Sequence, residues 1–176
     1  MKDFPIKSIY EFVESIFISL IVIVIVIVFA FRAVSVDGDS MLPNLHDGER
    51  LITTNLFYTP EKGDIVVFDK NNALGKPLIK RVIATEGDTI RIDYTTGDVY
   101  VNNELLIEDY ILEKIEPVTT DDINMTIKEG YVFVMGDNRN NSQDSRSENI
   151  GQVSTKSILG KAIFRIYPFD SIGGLY

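Results

Sequence analysis

A hydroxyl nucleophile could be displayed at Ser40, in the run Val36-Asp37-Gly38-Asp39-Ser40-Met41-Leu42-Pro43, whose glycine, aspartates and proline favour turns. A serine needs a base, and the usual imidazole is scarce. The single histidine, His46, lies six residues from Ser40 in the same loop. Triad members normally come from separate elements, so that Nε2 can point at the hydroxyl, and His46 therefore reads as a surface loop histidine. One histidine and no cysteine also argue against a zinc hydrolase. Asp137 and Glu148 occupy the first and twelfth positions of a calcium loop, but Arg139 stands at the third and Ser142 where glycine is required. No metal and no other cofactor is expected.

The remaining candidate base is a lysine that has lost its proton. Among ten lysines, Lys80 stands out, in Pro77-Leu78-Ile79-Lys80-Arg81-Val82-Ile83-Ala84. Strand alternation places it on one face with Leu78, Val82 and Ala84, where burial disfavours the ammonium. Moving a lysine pKa from about 10.4 to about 8 takes roughly 3 kcal/mol of desolvation, within the documented range. Lys161, another strand lysine, shares its alternation face with Arg165 and reads as solvated. Arg81 cannot serve, because a guanidinium does not deprotonate in proteins. Taken alone, Lys80 also fits a strand lysine whose head reaches water, and Asp137–Arg146 fits a polar, turn-rich loop.

These residues must be held by the elements around them. From residue 32 onward, short alternating segments are punctuated by Gly, Asn and Asp. Strands are expected over Arg50–Asn55, Asp64–Asp69, Leu78–Thr85, Asp88–Asp93, Asp98–Val101, Tyr131–Met135 and Lys161–Tyr167. Asp109–Lys114 could make a turn or two of helix. Residues 104–129, the most charged and least periodic stretch, read as a variable insertion or small subdomain.

Before this lies an apolar run, Phe12–Phe31, with no charge after Glu14. As a helix it is about 30 Å long, matching the hydrocarbon core of a bilayer. A transmembrane helix at 12–31, an N-terminal tail at 1–11 and one catalytic domain at 32–176 follow. The competing reading is a cleaved secretory signal ending at Ala33-Val34-Ser35. The length of the apolar core and the intervening Phe31-Arg32 weigh against it. Lys2 and Lys7 before the run, against Arg32 after it, favour a cytoplasmic N-terminus by one residue. The net charge of −9 opposes nucleic-acid binding, and the absence of cysteine fits an oxidising exterior.

Four boxes now fall into order: Gly38-Asp39-Ser40-Met41-Leu42-Pro43, Gly63-Asp64-Ile65-Val66-Val67-Phe68, Lys80-Arg81-Val82-Ile83 with Gly87-Asp88, and Gly136-Asp137-Asn138-Arg139-Asn140-Asn141-Ser142-Gln143-Asp144-Ser145-Arg146. Together they resemble the type I signal peptidases, in the short Gram-positive-like form with one N-terminal membrane helix. The resemblance implies a mainly β fold, a signal-peptidase or repressor-protease-like β-barrel. It implies a membrane-anchored serine endopeptidase that removes signal peptides from secreted pre-proteins after small residues (Ala-x-Ala-like). That enzyme would be a single-pass monomer of the cell membrane with its catalytic domain on the extracytoplasmic side.

The same resemblance makes Ser40 the nucleophile and Lys80 the general base, with Ser142 orienting the lysine and Asp144 with Arg146 as an ion pair beside it. The oxyanion hole would use the Ser40 backbone N–H. Where some relatives add a serine hydroxyl, Gly38 stands here, leaving backbone or water as the second donor. Val36, Leu78 and Ile79 are expected to line the substrate pocket. Asn44 replaces the family's usual Thr, Ala84 a common Gly and Glu86 the usual Pro, so a changed loop after the Lys80 strand is expected. A self-cleaving repressor-type protease would need a DNA-binding domain. A catalytically silent membrane-tethered β-module that binds exported proteins is the alternative from another class.

Overall fold

Runs of Val, Ile, Phe and Tyr broken by Gly, Asn and Asp form strands wherever one face can be buried. The computed structural model describes residues 6–69 and 76–175. The chain divides into two units, 1–32 and 33–176. The first carries one helix, α1 (Ile6–Ala30). Its Ser8–Ala30 portion is long and apolar enough to cross a membrane, and its side chains are exposed within the structure except for Ala30 at the end. The helix starts earlier than the apolar run, so residues 6–11 of the expected tail are helical. It stops at Ala30 rather than Phe31, which opens the first strand.

Among the described residues twelve strands follow: β1 (Phe31–Ser35), β2 (Arg50–Thr54), β3 (Ile65–Phe68), β4 (Leu78–Ala84), β5 (Thr89–Asp93), β6 (Asp98–Val101), β7 (Glu104–Leu105), β8 (Ile123–Thr126), β9 (Tyr131–Met135), β10 (Val153–Ser154), β11 (Ile158–Tyr167) and β12 (Gly173–Gly174). The large sheet runs β1-β2-β11-β3-β4-β9-β10, with β12 also paired to β11, and the small one runs β7-β6-β5-β8. The large sheet keeps two edges, β1 and β10, so the mainly β architecture is a half-barrel rather than a closed cylinder. All seven expected strands are present within one to three residues at their ends. The strands that the alternation did not announce are the short ones and the edges.

Three apolar clusters hold the sheets. Val66, Phe68, Leu78, Val82, Val132, Val134, Ile150, Val153 and Ile158 pack on one face of the large sheet. Ile83, Ala84, Phe133 and Met135 pack with Ile90, Ile92, Val99, Val101, Ile115 and Ile127, joining the ends of β4 and β9 to the small sheet. Val36, Met41, Leu45, Leu51, Ile65 and Ala162 form the third, beneath the Ser40 loop. At roughly 1.5–3 kcal/mol for each fully buried side chain, these clusters dominate the stability of the unit.

Two β-bulges alter the faces expected from alternation. The β4/β9 register shifts between Val82 and Ala84, sending Ala84 into the cluster of the small sheet and away from the Lys80 face. The β11/β2 register shifts between Ala162 and Phe164, so Arg165 falls opposite Leu51 while Lys161 falls opposite Thr54. Lys161 and Arg165 therefore lie on different faces, because one extra residue reverses the two-residue period.

The stretch 104–129 supplies β7 and β8 to the small sheet and Ile115 and Ile127 to its core, so its backbone is woven into that sheet. Asp109–Lys114 forms no helix; Asp109 and Tyr110 make a turn, and Glu113 bridges Asn138 in parallel. Glu86 accepts a hydrogen bond from the Gly130 N–H at 2.8 Å, fastening the turn after β4 to the turn before β9.

Candidate active site

The loop that carries Ser40 is closed at its base and anchored by apolar residues on either side of the serine. Val36 N–H donates to Glu49 O at 2.8 Å and Gly48 N–H to Val36 O at 3.0 Å. Within it, Gly38 adopts φ +87°, a conformation natural to glycine, and its N–H donates to Asp47 Oδ1 at 2.8 Å. Leu42 N–H reaches Asp39 O at 3.2 Å, and Asn44 and Leu45 N–H both reach Met41 O at 3.0 Å. Met41 and Leu45 are buried, so Ser40 is held up from below by its neighbours.

Lys80 reaches this loop from β4. Its Nζ lies 2.7 Å from Ser40 Oγ and donates to Ile79 O at 2.8 Å. It stands between Leu78 and Val82, and the residue is 3% exposed. Burial pushes its pKa down to about 8, against the opposing pull of Asp144 and Asp137. A fraction of the amine is therefore neutral near pH 7.5, and it already touches a hydroxyl. This arrangement can take a proton from Ser40 as the oxygen attacks an acyl carbon.

The loop after β9 supports both groups. Asn138 N–H donates to Ser40 O and its Nδ2 to Asp39 O, each at 3.1 Å. Asp144 is buried. Its oxygens accept Arg146 Nε and Nη2, each at 2.8 Å, and the Gly136 N–H at 2.9 Å. Burial works against the Asp144 charge, but the Arg146 guanidinium and the Gly136 amide outweigh it and hold the carboxyl below the usual range. Ser145 pins the loop to β9, donating its N–H to Val134 O and accepting the Val134 N–H at its Oγ.

Ser142 lies in the same loop, where its hydroxyl helps hold the Asp144 carboxyl down. Its buried Oγ makes no hydrogen bond of ordinary geometry among the described residues, and the second partner of Lys80 is the Ile79 carbonyl. Ser142 instead packs against Gly136, where an added Cβ would collide with Ser142 Oγ and with the Ser40 carbonyl.

A cavity of about 60 Å³ opens beside the pair. Val36, Leu78 and Ile79 all line it, together with Ser40 and Lys80. Sequence reasoning missed Ser35, Asp37, Met41, Lys76 and Pro77, which complete the lining; an exposed ion pair joins Asp37 to Lys76. Alternation could not reveal these residues, since they come from a turn and from the chain just before β4. His46 is exposed, with Nδ1 3.4 Å from Glu49 Oε1, and the Glu49 carboxylate also faces Arg165 Nε at 3.1 Å. Asp137, considered above as a calcium ligand, is buried against Arg81 at 2.7 Å.

Residues 9–167 match the family described as signal peptidase, peptidase S26. A probable signal peptidase I-1 of Synechocystis is 36% identical, the match covering 99% of this chain and 93% of that one. Signal peptidase I of Bacillus licheniformis is 34% identical, over 94% of this chain and 92% of its own length. A crystal structure of a signal peptidase I from Enterococcus faecalis shares 31% identity over 59% of this chain and 97% of that chain, with a TM-score of 0.47. The match to this family spans almost everything that the fold uses to bring Ser40 and Lys80 together, and the chain belongs to it, as a serine endopeptidase of the signal peptidase family.

Proposed function

We propose that this protein releases secreted proteins from their N-terminal signal peptides, using Ser40 as the acylating nucleophile and Lys80 as the general base. The observation that carries the reading is the 2.7 Å contact between Lys80 Nζ and Ser40 Oγ. It is joined to a lysine pKa of about 8. Neutral Lys80 removes the Ser40 proton as Oγ attacks the scissile carbonyl. The resulting ammonium then gives that proton to the departing amine, leaving an ester on Ser40. Water, deprotonated by the same amine, hydrolyses the ester. Ser142 Oγ, buried beside Gly136 and the Ser40 carbonyl, is the acceptor we assign to the third N–H of the ammonium. Asp144 and Arg146 hold that loop in place.

The oxyanion falls to the Ser40 backbone N–H. Gly38 brings no hydroxyl and its N–H is engaged by Asp47, so backbone or water supplies the second donor. The substrate lies as an extended strand between the Val36 segment and Leu78–Ile79. The small cavity beside the pair, lined by Val36, Leu78 and Ile79, suits the small side chains expected before the cleaved bond. The enzyme acts as a monomer, anchored in the phospholipid cell membrane by α1 as a single pass, with residues 33–176 on the extracytoplasmic side.

Ser40→Ala tests the reading. Ser40 is itself no member of the apolar cluster beneath its loop, so the variant should fold with an unchanged melting temperature and leave a pre-protein with Ala at the first and third positions before the cleaved bond uncut. Processing at the wild-type rate would remove Ser40 from the mechanism.

A further inference from the structure

We infer that Asn44 is a positioning residue for cleavage, its carboxamide locking the Ser40 loop to the side of the site that carries the base. The inference rests on the Ser40/Lys80 reading above. Asn44 Nδ2 donates to Asp137 Oδ2 at 2.8 Å and to the Tyr110 carbonyl at 2.6 Å. The Asn44 backbone carbonyl, separately from the carboxamide, accepts from Arg165 Nη2 at 2.7 Å. Both amide hydrogens are used and both partners are acceptors, so the carboxamide fits one way round: turned over, its oxygen would face two other oxygens.

The partners give this position its leverage. Asp137 is buried and accepts Arg81 Nε at 2.8 Å and Nη2 at 2.7 Å, and Arg81 directly follows Lys80 on β4. Asn138, the next residue, holds the Ser40 carbonyl. Tyr110 places its ring 4.3 Å from the Arg81 guanidinium carbon. One carboxamide thus joins the nucleophile loop, the base strand and the 104–129 stretch. Ser40 and Lys80 sit on separate segments, so slack between those segments is slack in the reacting geometry. A threonine in its place has one hydroxyl proton and could make one of the two bonds at a time.

The test uses the full chain in detergent with phospholipid, cleaving one peptide with Ala at both specificity positions, with melting temperature measured alongside. Asn44→Asp keeps the shape but turns two donors into acceptors facing Asp137 and Tyr110. It should lower kcat about 100-fold with KM within about two-fold, Asn44→Ala should lower kcat about 10-fold, and Asn44→Thr should recover part of the Ala loss. An asparagine serving stability alone would lower the melting temperature and leave turnover per folded molecule intact. Asn44→Asp and Asn44→Ala turning over within two-fold of wild type, while Ser40→Ala is dead, would overturn the inference. If Asn44→Asp does not fold, the order of Ala and Thr decides: equal kcat for both, near wild type, overturns it as well. Activity in Ser40→Ala would instead bring down the reading beneath it.

Discussion

Lys80 and Lys161 stand on either side of one residue. Val66 on β3 pairs with Lys80 on β4 and with Lys161 on β11, so the two lysines share a row of the sheet and a face. Their surroundings differ. The Lys161 side chain is 35% exposed and meets Asp64 Oδ1 at 2.5 Å. Lys80 is buried between Leu78 and Val82 and touches a hydroxyl and a carbonyl, with no carboxylate in salt-bridge contact among the described residues. Residue type and strand position are the same. Dehydration without a paired anion is what lowers the pKa of one of them, while the other has a carboxylate partner and access to water.

The sharpest way to break this comparison is to make both lysines arginine. Lys80→Arg keeps the charge but cannot lose it near neutral pH, and the cleavage rate should fall by about 10³-fold or more, as in Lys80→Ala. Lys161→Arg keeps the pairing with Asp64 and should cleave within about two-fold of wild type. Substantial activity in Lys80→Arg would mean that Lys80 serves as a fixed charge, and that its low exposure has nothing to do with proton transfer.

How much of this could be read from the residues alone depended on how local the signal was. Val66, Leu78 and Val82 announce strands by alternation, and the Lys80 neighbourhood follows from that. Ala84 and Arg165 were assigned to wrong faces because a bulge is an agreement between two strands, invisible in either sequence by itself. The Ser40 and Lys80 pairing came from a resemblance between boxes; no periodicity connects positions 40 residues apart. Asn44 was noticed as a departure and nothing more, since its two acceptors, on Tyr110 and Asp137, are brought to it by tertiary packing. The setting of the Ser142 hydroxyl was equally unreadable, because Asp144 and Gly136 are brought to it by the fold of their loop.

A gentler change sharpens the comparison from the middle of the row. Val66→Thr has nearly the same shape but adds a hydroxyl beside Lys80, giving the ammonium an acceptor that valine denies it. In wild type, kcat/KM should rise with pH through an acidic limb near pH 8, the value to which burial brings Lys80. The limb in Val66→Thr should move upward, lowering activity at pH 7.5 by about 3-fold while the rate at pH 10 stays close to wild type. Stability carries the matching sign. The folded lysine has the lower pKa, so between about 8 and its ordinary value of 10.5 the unfolded chain binds more protons. Stability contributed through Lys80 therefore increases with pH across that window, and Lys80→Met should lack the slope. A limb near pH 6.5 that survives His46→Ala would assign the proton transfer to a carboxylate.

The smallest effect is expected on the other side of Val66. Lys161→Met removes the cation facing Asp64, a residue only 8% exposed. That carboxylate keeps two donors: the Tyr58 hydroxyl at 2.6 Å and the Glu61 N–H at 3.0 Å, both on Oδ2. Asp64 therefore remains partly satisfied, and the loss should be about 1 kcal/mol rather than the larger penalty of an isolated buried charge. Tyr58, whose hydroxyl burial and Asp64 already make reluctant to ionise, has no reason to let go. Thermal unfolding should register this modest loss, while the pH limb of cleavage stays at its wild-type position, because Lys161 meets neither Ser40 nor the groups that hold it. If Lys161→Met moved that limb, the two lysines would be sensing each other across Val66, and the low pKa of Lys80 would owe something to like-charge repulsion along the row as well as to its own burial.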